Sequence, residues 1–465
     1  MIIREAIQQF KGFRYIVEQL DICSSLGRRV LYEMPWLNSM EEIGREFNRI
    51  GEVCSILQKQ NGSGNPENVA CKLMQVRDIR GTVGRMGTTC ILDDLELFEL
   101  KSFALLADEI KDLVSDWKWV ILPDLKPVIT ILDPEGSRIP HFYIYDVYSP
   151  ELTSLRKEIK QKIQIGAGDE EVEKLRDKTV ELEDGVRKEL SEKVRHYYPE
   201  IRKALEIVAL IDISLAKAKQ VEQLQLNCPE LVNAGGTTVY KGLFNPQLKD
   251  ALRGEGKDFQ PVDIELWSGA TVITGANMAG KTVLLKSVAL AQVMCQFGFY
   301  VPASKAVIQL IDKVLLSIGD EQDELSGLSS FAAEMLCINE IAERIRSGQK
   351  VLVLIDELAR TTNPVEGRAI VNGVVEFLSE NQTQALVTTH YSGIVAKCRR
   401  LRVKGFVENR IQGNVTLKNI NEFIDYSLEE DDSETAPHEA MRIAWMLGVD
   451  SGLLQKAEYF LAEKA

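Results

Sequence analysis

The stretch TVITGANMAGKT, residues 271–282, decides the fold of this chain. It contains the pattern GxxxxGK[ST], which begins at Gly275 and ends at Thr282. The β-branched run before the pattern is typical of a buried strand, and the segment VLLKSVALAQVMCQFG after it has the apolar spacing of a helix. A strand, a glycine-rich turn and a helix in this order predict the phosphate-binding loop of an α/β nucleotide-binding domain.

The residue types in this pattern suit the binding of ATP and Mg²⁺. Glycines allow the backbone to wrap around phosphate groups with successive N–H groups pointing inward, and the amino end of the following helix adds positive potential. Lys281 is expected to contact the β- and γ-phosphates of ATP, and the hydroxyl group of Thr282 is expected to bind Mg²⁺. The predicted nucleotide-binding residues of the loop are Gly275, Ala276, Asn277, Met278, Ala279, Gly280, Lys281 and Thr282.

Two further apolar runs end in polar residues. VLVLIDE, residues 351–357, predicts a buried parallel strand, and ALVTTH, residues 385–390, predicts another. Because ligands bind at the carboxyl ends of strands in an open α/β sheet, we expect Asp356 to hold Mg²⁺, Glu357 to polarise the attacking water and His390 to sense the γ-phosphate. Without other motifs, Asp356 and Glu357 would be interpreted as the ordinary end of a strand and His390 as a structural histidine. The GxxxxGKT pattern favours the catalytic interpretation.

Composition narrows the class of protein. The chain has 465 residues, of which 45% are hydrophobic and 27% charged, so it can bury a sizeable core. The net charge of −14 argues weakly against a broad nucleic-acid-binding surface. The eight cysteines form no CxxC pair and there are four histidines, which indicates neither a zinc site nor a disulfide framework. No run reaches the ~18 apolar residues of a membrane span, so we expect a cytoplasmic protein with no membrane partner.

The first part of the chain reads as mostly helical. Residues 1–125 show apolar positions three and four apart, for example in ELFELKSFALLADEIKDLV, residues 96–114. Residues 127–147, PVITILDPEGSRIPHFYIYDV, predict short β segments joined by a Pro-Glu-Gly turn.

A charged helical hairpin is predicted near residues 151–203. Ser149, Pro150 and Glu151 are typical of a helix start, and the hairpin contains thirteen basic and thirteen acidic residues, a balance that favours a solvated helix pair. Another helix is predicted to begin at Pro199. With a boundary near residue 220, we expect a helical core and lever domain over residues 1–220 and an ATPase domain over residues 221–465.

Together, these motifs resemble those of the MutS family. TGANMAGKT carries the Asn-Met pair that this family places in its Walker A loop, DELARTTNPVEG resembles its Walker B segment and the arginine-containing turn beyond it, and TTHYSGI matches its switch histidine. The other similar segments are FYVPA (299–303), GDEQDELSGLSSFAAEM (319–335) and the tail APHEAMRIAWMLGVDSGLLQKAEYFLAE (436–463). The resemblance covers residues 225–465 closely and the helical region before residue 220 with lower specificity.

The resemblance implies an α/β P-loop NTPase domain of the ABC-like MutS type, preceded by a mostly α-helical core and lever domain with a short hairpin. It implies a head-to-tail dimer of identical or related subunits with two composite ATP sites, and a dimerising tail. By position in the motifs, Ser326, Gly327 and Ser329 would reach the phosphate of the partner subunit's ATP.

The sequence also departs from the family pattern. Ala276 and Ala279 stand where family loops usually have Pro and Gly, and Leu328 stands where mismatch-repair members have Arg. The GDEQ stretch is closer to the branch that acts in recombination or ribosome rescue. Neither a mismatch-reading domain nor a nuclease domain is expected, and the DNA clamp is expected to be shortened to the hairpin.

Two functions stay open beyond ATP hydrolysis. One is remodelling of a protein client, because short MutS-like chains are similar to ATPases that reactivate adenosylcobalamin-dependent aminomutases; the acidic charge and the balanced hairpin fit this hypothesis better. The other is action on mismatched or branched DNA in repair or recombination, for which the sequence offers one basic cluster over residues 397–404. A degenerate, purely structural ATPase is disfavoured by the joint presence of Lys281, Thr282, Asp356, Glu357 and His390.

Overall fold

Helices fill the first half of the chain and two β-sheets lie in the second half. The structure is a computed structural model, and no helix in its described residues is both long and apolar enough to cross a membrane. The described residues are 1–59, 66–139, 141–166, 168–233, 235–275, 279–318, 330–407, 420–431, 441, 444–445 and 447–462.

Residues 1–125 are mostly helical, as their apolar spacing predicts, and one more helix follows directly. Its helices are α1 (Ile3–Gln9), α2 (Lys11–Glu18), α3 (Ser25–Glu33), α4 (Met40–Gln58), α5 (Pro66–Leu73), α6 (Arg80–Met86), α7 (Asp94–Leu113) and α8 (Lys126–Leu132). Ser24 caps α3 by accepting a hydrogen bond from the backbone N–H of Gly27 at 2.8 Å. Asp93 and Glu96 form a capping box at the start of α7, so both helices begin where a side chain satisfies free backbone N–H groups.

The prediction of β segments in residues 127–147 is wrong. The stretch PVITIL lies in α8, and the described residues from 133 to 148 contain only a short 3-10 helix at Asp146–Tyr148 and no strand. Val128 and Leu132, four residues apart, are fully buried on one side of α8, which packs against α7. The strand preference of β-branched residues depends strongly on context, and here burial on a helical face outweighs it.

A buried polar cluster anchors the chain after α8. The amine of Lys101 donates hydrogen bonds to Asp133 at 3.0 Å and to the hydroxyl oxygen of Tyr145 at 2.7 Å. The side chains of Lys101 and Asp133 are 1% and 0% exposed. Such a pair keeps its charges in the interior only because each has partners, so this cluster holds the irregular segment without sheet pairing.

The predicted helical hairpin is confirmed. It consists of α9 (Pro150–Gln164) and α10 (Asp169–Arg195), and Ser149 caps α9 by accepting from the N–H of Leu152 at 3.2 Å. Arg156 pairs with Glu183 at 2.8 Å, and Lys162 pairs with Glu171 at 3.0 Å. Opposite charges on the two arms therefore face each other, which accounts for part of the charge balance in the sequence.

The long helix α11 (Tyr198–Leu224) connects the two halves of the molecule. It begins with a proline in its first turn, as predicted, and continues past residue 220. Leu205 and Ile211 lie in the core of the helical region, whereas Ile213 and Ala216 lie in the core that surrounds the next long helix, α13 (Lys281–Gln296). One helix thus contributes to both cores.

Lys217 joins α11 to the end of α13. Its amine donates hydrogen bonds to the carbonyl oxygens of Phe297 at 3.1 Å and Gly298 at 3.0 Å, and it lies 4.1 Å from the centre of the Phe299 ring. The side chain is 1% exposed, and burial lowers the pKa of Lys217 to about 8. A cation at the carboxyl end of a helix is stabilised by the free carbonyl groups there.

A four-stranded sheet follows α11. Its strands are β1 (Glu230–Val232), β2 (Thr238–Leu243), β3 (Val262–Leu266) and β5 (Lys305–Gln309), in the order β1-β5-β2-β3. Helix α12 (Pro246–Gly254) lies between β2 and β3 in sequence. The pairs β2–β3 and β2–β5 are antiparallel, and β1–β5 is parallel.

A six-stranded sheet carries the predicted site. Its strands are β4 (Ala270–Thr274), β6 (Lys313–Ser317), β7 (Val351–Ile355), β8 (Ala385–Thr388), β9 (Arg399–Phe406) and β10 (Ile424–Glu430), in the order β10-β9-β4-β8-β7-β6. All neighbouring pairs are parallel except β9–β10. The remaining helices are α14 (Ser330–Arg346), α15 (Pro364–Glu380) and α16 (Ser451–Ala462).

Alternation along the central strands places helices on both faces of this sheet. Leu352 and Leu354 of β7 belong to the core around α13, whereas Val353 and Ile355 belong to the core beside α14 and α15. All five residues of β7 are buried, which explains the unbroken apolar run. The carboxyl ends of β4, β6, β7 and β8 consequently meet at one edge.

Lys217→Met should make stability less dependent on pH between about 8 and 10.5. Because the pKa of Lys217 falls from 10.5 to about 8 on folding, the unfolded chain holds more protons than the folded one in this window. The free energy of unfolding of the unaltered protein therefore gains a contribution that rises with pH, and the variant lacks it. Chemical denaturation at about pH 7.5 and about pH 10 measures the difference. Lys219→Met, on the same helix but half-exposed, is the control, and an equal pH dependence in all three proteins would contradict the assignment.

Candidate functional site

The sheet edge brings most of the described site residues together. Gly275, Ala279, Gly280, Lys281 and Thr282 follow β4, whereas Asp356 and Glu357 follow β7 and His390 follows β8. Since β8 lies between β4 and β7, residues from three strands share one edge. The predicted residues Ala276, Asn277, Met278, Ser326, Gly327 and Ser329 lie outside the described residues.

Two described glycines of the glycine-rich turn, which spans residues 275–282, have the backbone conformation that the pattern predicts for them. Gly275 has φ +138° and Gly280 has φ +75°, which are conformations that side chains oppose. A Cβ atom on Gly280 would lie 3.0 Å from the ring of Tyr426, so space as well as conformation favours glycine. Lys281 opens α13 with 3% of its surface exposed, and its amine donates to the carbonyl oxygen of Gly275 at 2.6 Å. The ammonium group therefore lies against the backbone of Gly275 at the end of β4.

Asp356 is the centre of a set of hydrogen bonds. The hydroxyl group of Thr282 donates to Asp356 Oδ2 at 2.6 Å, and the hydroxyl group of Thr388 donates to Asp356 Oδ1 at 2.7 Å. The oxygen of Thr388 in turn accepts from the backbone N–H of Glu357 at 2.9 Å. Thr388 was not among the predicted site residues, although it precedes His390 by only two positions at a strand end.

Thr282 and Asp356 suit a magnesium ion. Mg²⁺ prefers oxygen ligands and commonly takes one or two from protein side chains, the others coming from phosphate and water. A hydroxyl and a carboxylate oxygen within hydrogen-bond distance provide such a pair. Among the described residues, no group of three or more His, Cys, Asp and Glu side chains could hold a metal, so a cage built from those side chains alone is not found there.

Glu357 and His390 both lie within the electrostatic influence of Arg360. Arg360 pairs with Glu357 at 3.1 Å, and the Glu357 side chain is 16% exposed. Partial loss of water lowers the pKa of His390 below its ordinary value; the carboxylate of Glu357 opposes this shift, and the cations Lys281 and Arg360 add to it. A lowered pKa favours the neutral imidazole near pH 7, the form with one donor and one acceptor nitrogen.

A cavity of about 600 Å³ adjoins the glycine-rich turn. Its wall includes Gly280 and Lys281 on one side and Leu248, Phe259 and Tyr426 on others. Cavities of this size and partly apolar lining are typical of sites for small organic ligands. Apart from the residues of the GxxxxGKT pattern, no motif in the sequence marked this cavity, because the rest of its lining comes mainly from α12, β3, β9 and β10 and from the segments beside them.

Part of the basic cluster at residues 397–404 is occupied by internal contacts. Arg399 pairs with Glu430 of the neighbouring strand at 2.7 Å and lies 4.5 Å from the centre of the Trp267 ring. The guanidinium group of Arg400 donates to the carbonyl oxygen of Ile394. Because these guanidinium groups make contacts within the protein, they are less available to bind the phosphates of a nucleic acid.

Comparison with known proteins gives a consistent pattern. A family model described as MutS domain V matches residues 271–463. Proteins named Endonuclease MutS2 are similar: that of Carboxydothermus hydrogenoformans is 29% identical over 295 residues, 62% of this chain and 36% of the relative. That of Caldanaerobacter subterraneus is 35% identical over 224 residues, 48% of this chain and 27% of the relative. That of Thermus thermophilus is 36% identical over 196 residues, which are 42% of this chain and 25% of the relative. This chain thus spans about a third or less of their length.

Gly280→Ala should destabilise the protein even without nucleotide. A side chain at φ +75° is strained, and its Cβ would meet the Tyr426 ring at 3.0 Å, so we expect the free energy of unfolding to fall by ~1–2 kcal/mol. Gly185→Ala is the matched control, because Gly185 lies in α10 with nothing within 4 Å of an added Cβ and should gain stability from better helix propensity. Equal effects of the two substitutions in chemical denaturation would refute the assignment of strain.

Proposed function

This chain is a member of the MutS family, and we propose that it binds and hydrolyses ATP with Mg²⁺ at the carboxyl edge of its six-stranded sheet. MutS family members are ATPases, and the matched region is MutS domain V. The observation that carries the proposal is the hydrogen bond between Thr282 and Asp356 at 2.6 Å, with Lys281, Glu357 and His390 around it.

Each side chain has a role that its position supports. The backbone of residues 275–282, including Ala276, Asn277, Met278 and Ala279, would wrap the phosphates, and Lys281 would neutralise the β- and γ-phosphates. Thr282 and Asp356 would hold Mg²⁺, which supplies positive charge against the phosphate oxygens. Glu357 would orient the attacking water, and His390 would contact the γ-phosphate.

The cavity beside the turn fits the nucleoside part of ATP. Its lining includes Gly280 and Lys281, beside which the phosphates would lie, and Phe259 and Tyr426, which offer aromatic rings to a base. The pKa of Tyr426 is raised by burial, so its hydroxyl group is neutral at physiological pH.

We also propose that the chain works as a dimer, of identical or related subunits, with composite sites. Ser326, Gly327 and Ser329 would contact the partner subunit's ATP. The composition of the surface of α16 supports an interface there. Its residues Leu453, Tyr459 and Phe460 are 58%, 61% and 64% exposed. Several large apolar side chains exposed on one short helix mark a surface that is covered in an assembly.

DNA is the proposed partner of the dimer. The similar proteins are named endonucleases, whereas none of the relatives described above is named for a protein client such as an aminomutase. The proposal concerns binding that depends on ATP, since this chain covers about a third or less of those relatives. A protein client stays a hypothesis from the sequence, and the DNA titration described below separates it from the DNA proposal.

Lys281→Ala should abolish measurable ATP binding, and Glu357→Gln should bind ATP but hydrolyse it slowly. The first change removes the cation that pairs with the phosphates. The second removes the base that orients water, a loss of about 100-fold or more in kcat. Equilibrium binding of ATP and steady-state release of phosphate measure the two effects.

Lys305→Ala is the control for these variants, since Lys305 is an exposed lysine on β5 of the other sheet. Unchanged ATP affinity in Lys281→Ala would refute the phosphate-binding assignment. Normal turnover in Glu357→Gln would show that another residue positions the water.

Glu357→Gln with ATP should bind duplex, mismatched or branched DNA more tightly at low salt than at high salt. Contacts with phosphates release counterions, so the affinity should fall with a slope of about −0.9 per contact in a plot of log K against log salt concentration. The measurement is a DNA titration at two salt concentrations, with sedimentation to follow dimer formation. ATP-driven dimerisation without DNA binding at low salt would contradict the DNA proposal and favour a protein client.

A further inference from the structure

The backbone turn after Glu357 is strained. Glu357 has φ +51° and Ala359 has φ +60°, and neither residue is glycine. Side chains oppose this left-handed conformation, so it persists only where surrounding groups hold it in place. The N–H of Arg360 donates back to the carbonyl oxygen of Glu357 at 3.2 Å, which closes the turn. The direction in which the Glu357 carboxylate points depends on this local geometry.

Two side chains from different elements hold one residue of the turn. Glu334 of α14 accepts a hydrogen bond from the N–H of Ala359 through Oε1 at 3.0 Å. The hydroxyl group of Tyr391 donates to the carbonyl oxygen of Ala359 at 2.7 Å. Ala359 is itself 0% exposed, so its N–H depends on Glu334. Its carbonyl oxygen accepts from Tyr391 and, at the longer distance of 3.4 Å, from the N–H of Thr362.

The side chains of Tyr391 and Glu334 are both at least partly buried by their surroundings. Tyr391 is 8% exposed and lies in the core that includes Leu358 and Val371. A Cβ atom on Gly367 would lie 2.2 Å from the Tyr391 hydroxyl oxygen, so the glycine that ends the DELARTTNPVEG motif makes room for this contact. Glu334 is half-buried, and burial raises its pKa while the hydrogen bond from Ala359 lowers it.

We infer that Glu334 and Tyr391 are positioning residues for ATP hydrolysis, which hold the turn so that Glu357 points at the water. The inference rests on the proposed ATPase function. Both of these hydrogen bonds go to Ala359 after β7, whereas the expected phosphate contacts come from the turn after β4, so we expect ATP binding to depend little on them. A misplacement of a reacting group by about 1 Å can cost about 100-fold in rate. Loss of either contact should therefore lower kcat and leave KM almost unchanged.

The test uses Glu334→Ala and Tyr391→Phe in the full chain. We expect each to lower kcat by about tenfold or more, with KM for ATP and the Kd of a non-hydrolysable ATP analogue within about twofold of the unaltered protein. Glu334→Gln keeps a carbonyl oxygen that can accept from Ala359, so it should retain kcat within about threefold. Tyr391→Phe removes one hydroxyl group and keeps the ring in the core, which keeps the test valid if Glu334→Ala folds poorly.

Hydrogen exchange gives a readout besides activity. The Ala359 amide should exchange faster in Glu334→Ala than in Glu334→Gln, as followed by mass spectrometry of a peptide covering residues 356–363. Tyr300→Phe is the control for Tyr391→Phe, since Tyr300 also donates to a backbone carbonyl, that of Phe47 at 3.3 Å, away from the site. It should leave kcat unchanged.

The outcomes separate the inference from the function on which it rests. Suppose that the unaltered protein hydrolyses ATP and that Lys281→Ala abolishes this activity. Normal kcat in Glu334→Ala or in Tyr391→Phe would then overturn the inference and leave the function intact. Equal losses in Glu334→Ala and Glu334→Gln would overturn the role of Glu334 as hydrogen-bond acceptor. Absence of ATP binding in the unaltered protein would overturn both.

Discussion

The geometry of the site depends on the carboxylate of Asp356, which accepts hydrogen bonds from Thr282 and Thr388. These partners come from the ends of two different elements, α13 and β8, so the contact fixes the glycine-rich turn and the β8 end relative to β7. It is possible because β8 lies between β4 and β7, with Thr388 in register with Ile273. A hydrogen bond to a charged group contributes ~1.5–3 kcal/mol, enough to hold polar ends together before any ligand binds.

Features that follow from local sequence were predicted well. The strands at residues 271–274, 351–355 and 385–388, helix α13 and the hairpin of α9 and α10 are confirmed, because each depends on apolar spacing or on a cap within a few residues. The family resemblance is likewise confirmed. The roles of Lys281, Glu357 and the other site residues stay predictions. The structure adds that the described site residues lie together at the carboxyl edge of the six-stranded sheet.

Features that depend on distant contacts could not be predicted. PVITIL became a helix because α7 offers it a buried face, and the polar cluster of Lys101 and Asp133 joins residues far apart in sequence. Thr388 carries no signal of its own, and the cavity is lined by segments with no shared motif. Glu334 and Tyr391 meet only at Ala359. Their contacts offset a strain of about 1–3 kcal/mol for each left-handed residue, a cost that no local pattern reveals.

A single buried helix, α13, connects the site with the helical region of the chain. Helix α13 begins at Lys281 and has sixteen residues, about 24 Å in length, and Lys217 of α11 binds the carbonyl groups just beyond its other end. Phe13 of α2 stacks on Phe297 at the same place, with ring centroids 5.2 Å apart. A helix buried on nearly all sides cannot bend without opening its core. Helix α13 therefore connects Lys281 at the site with this junction, and α11 extends from there toward the hairpin.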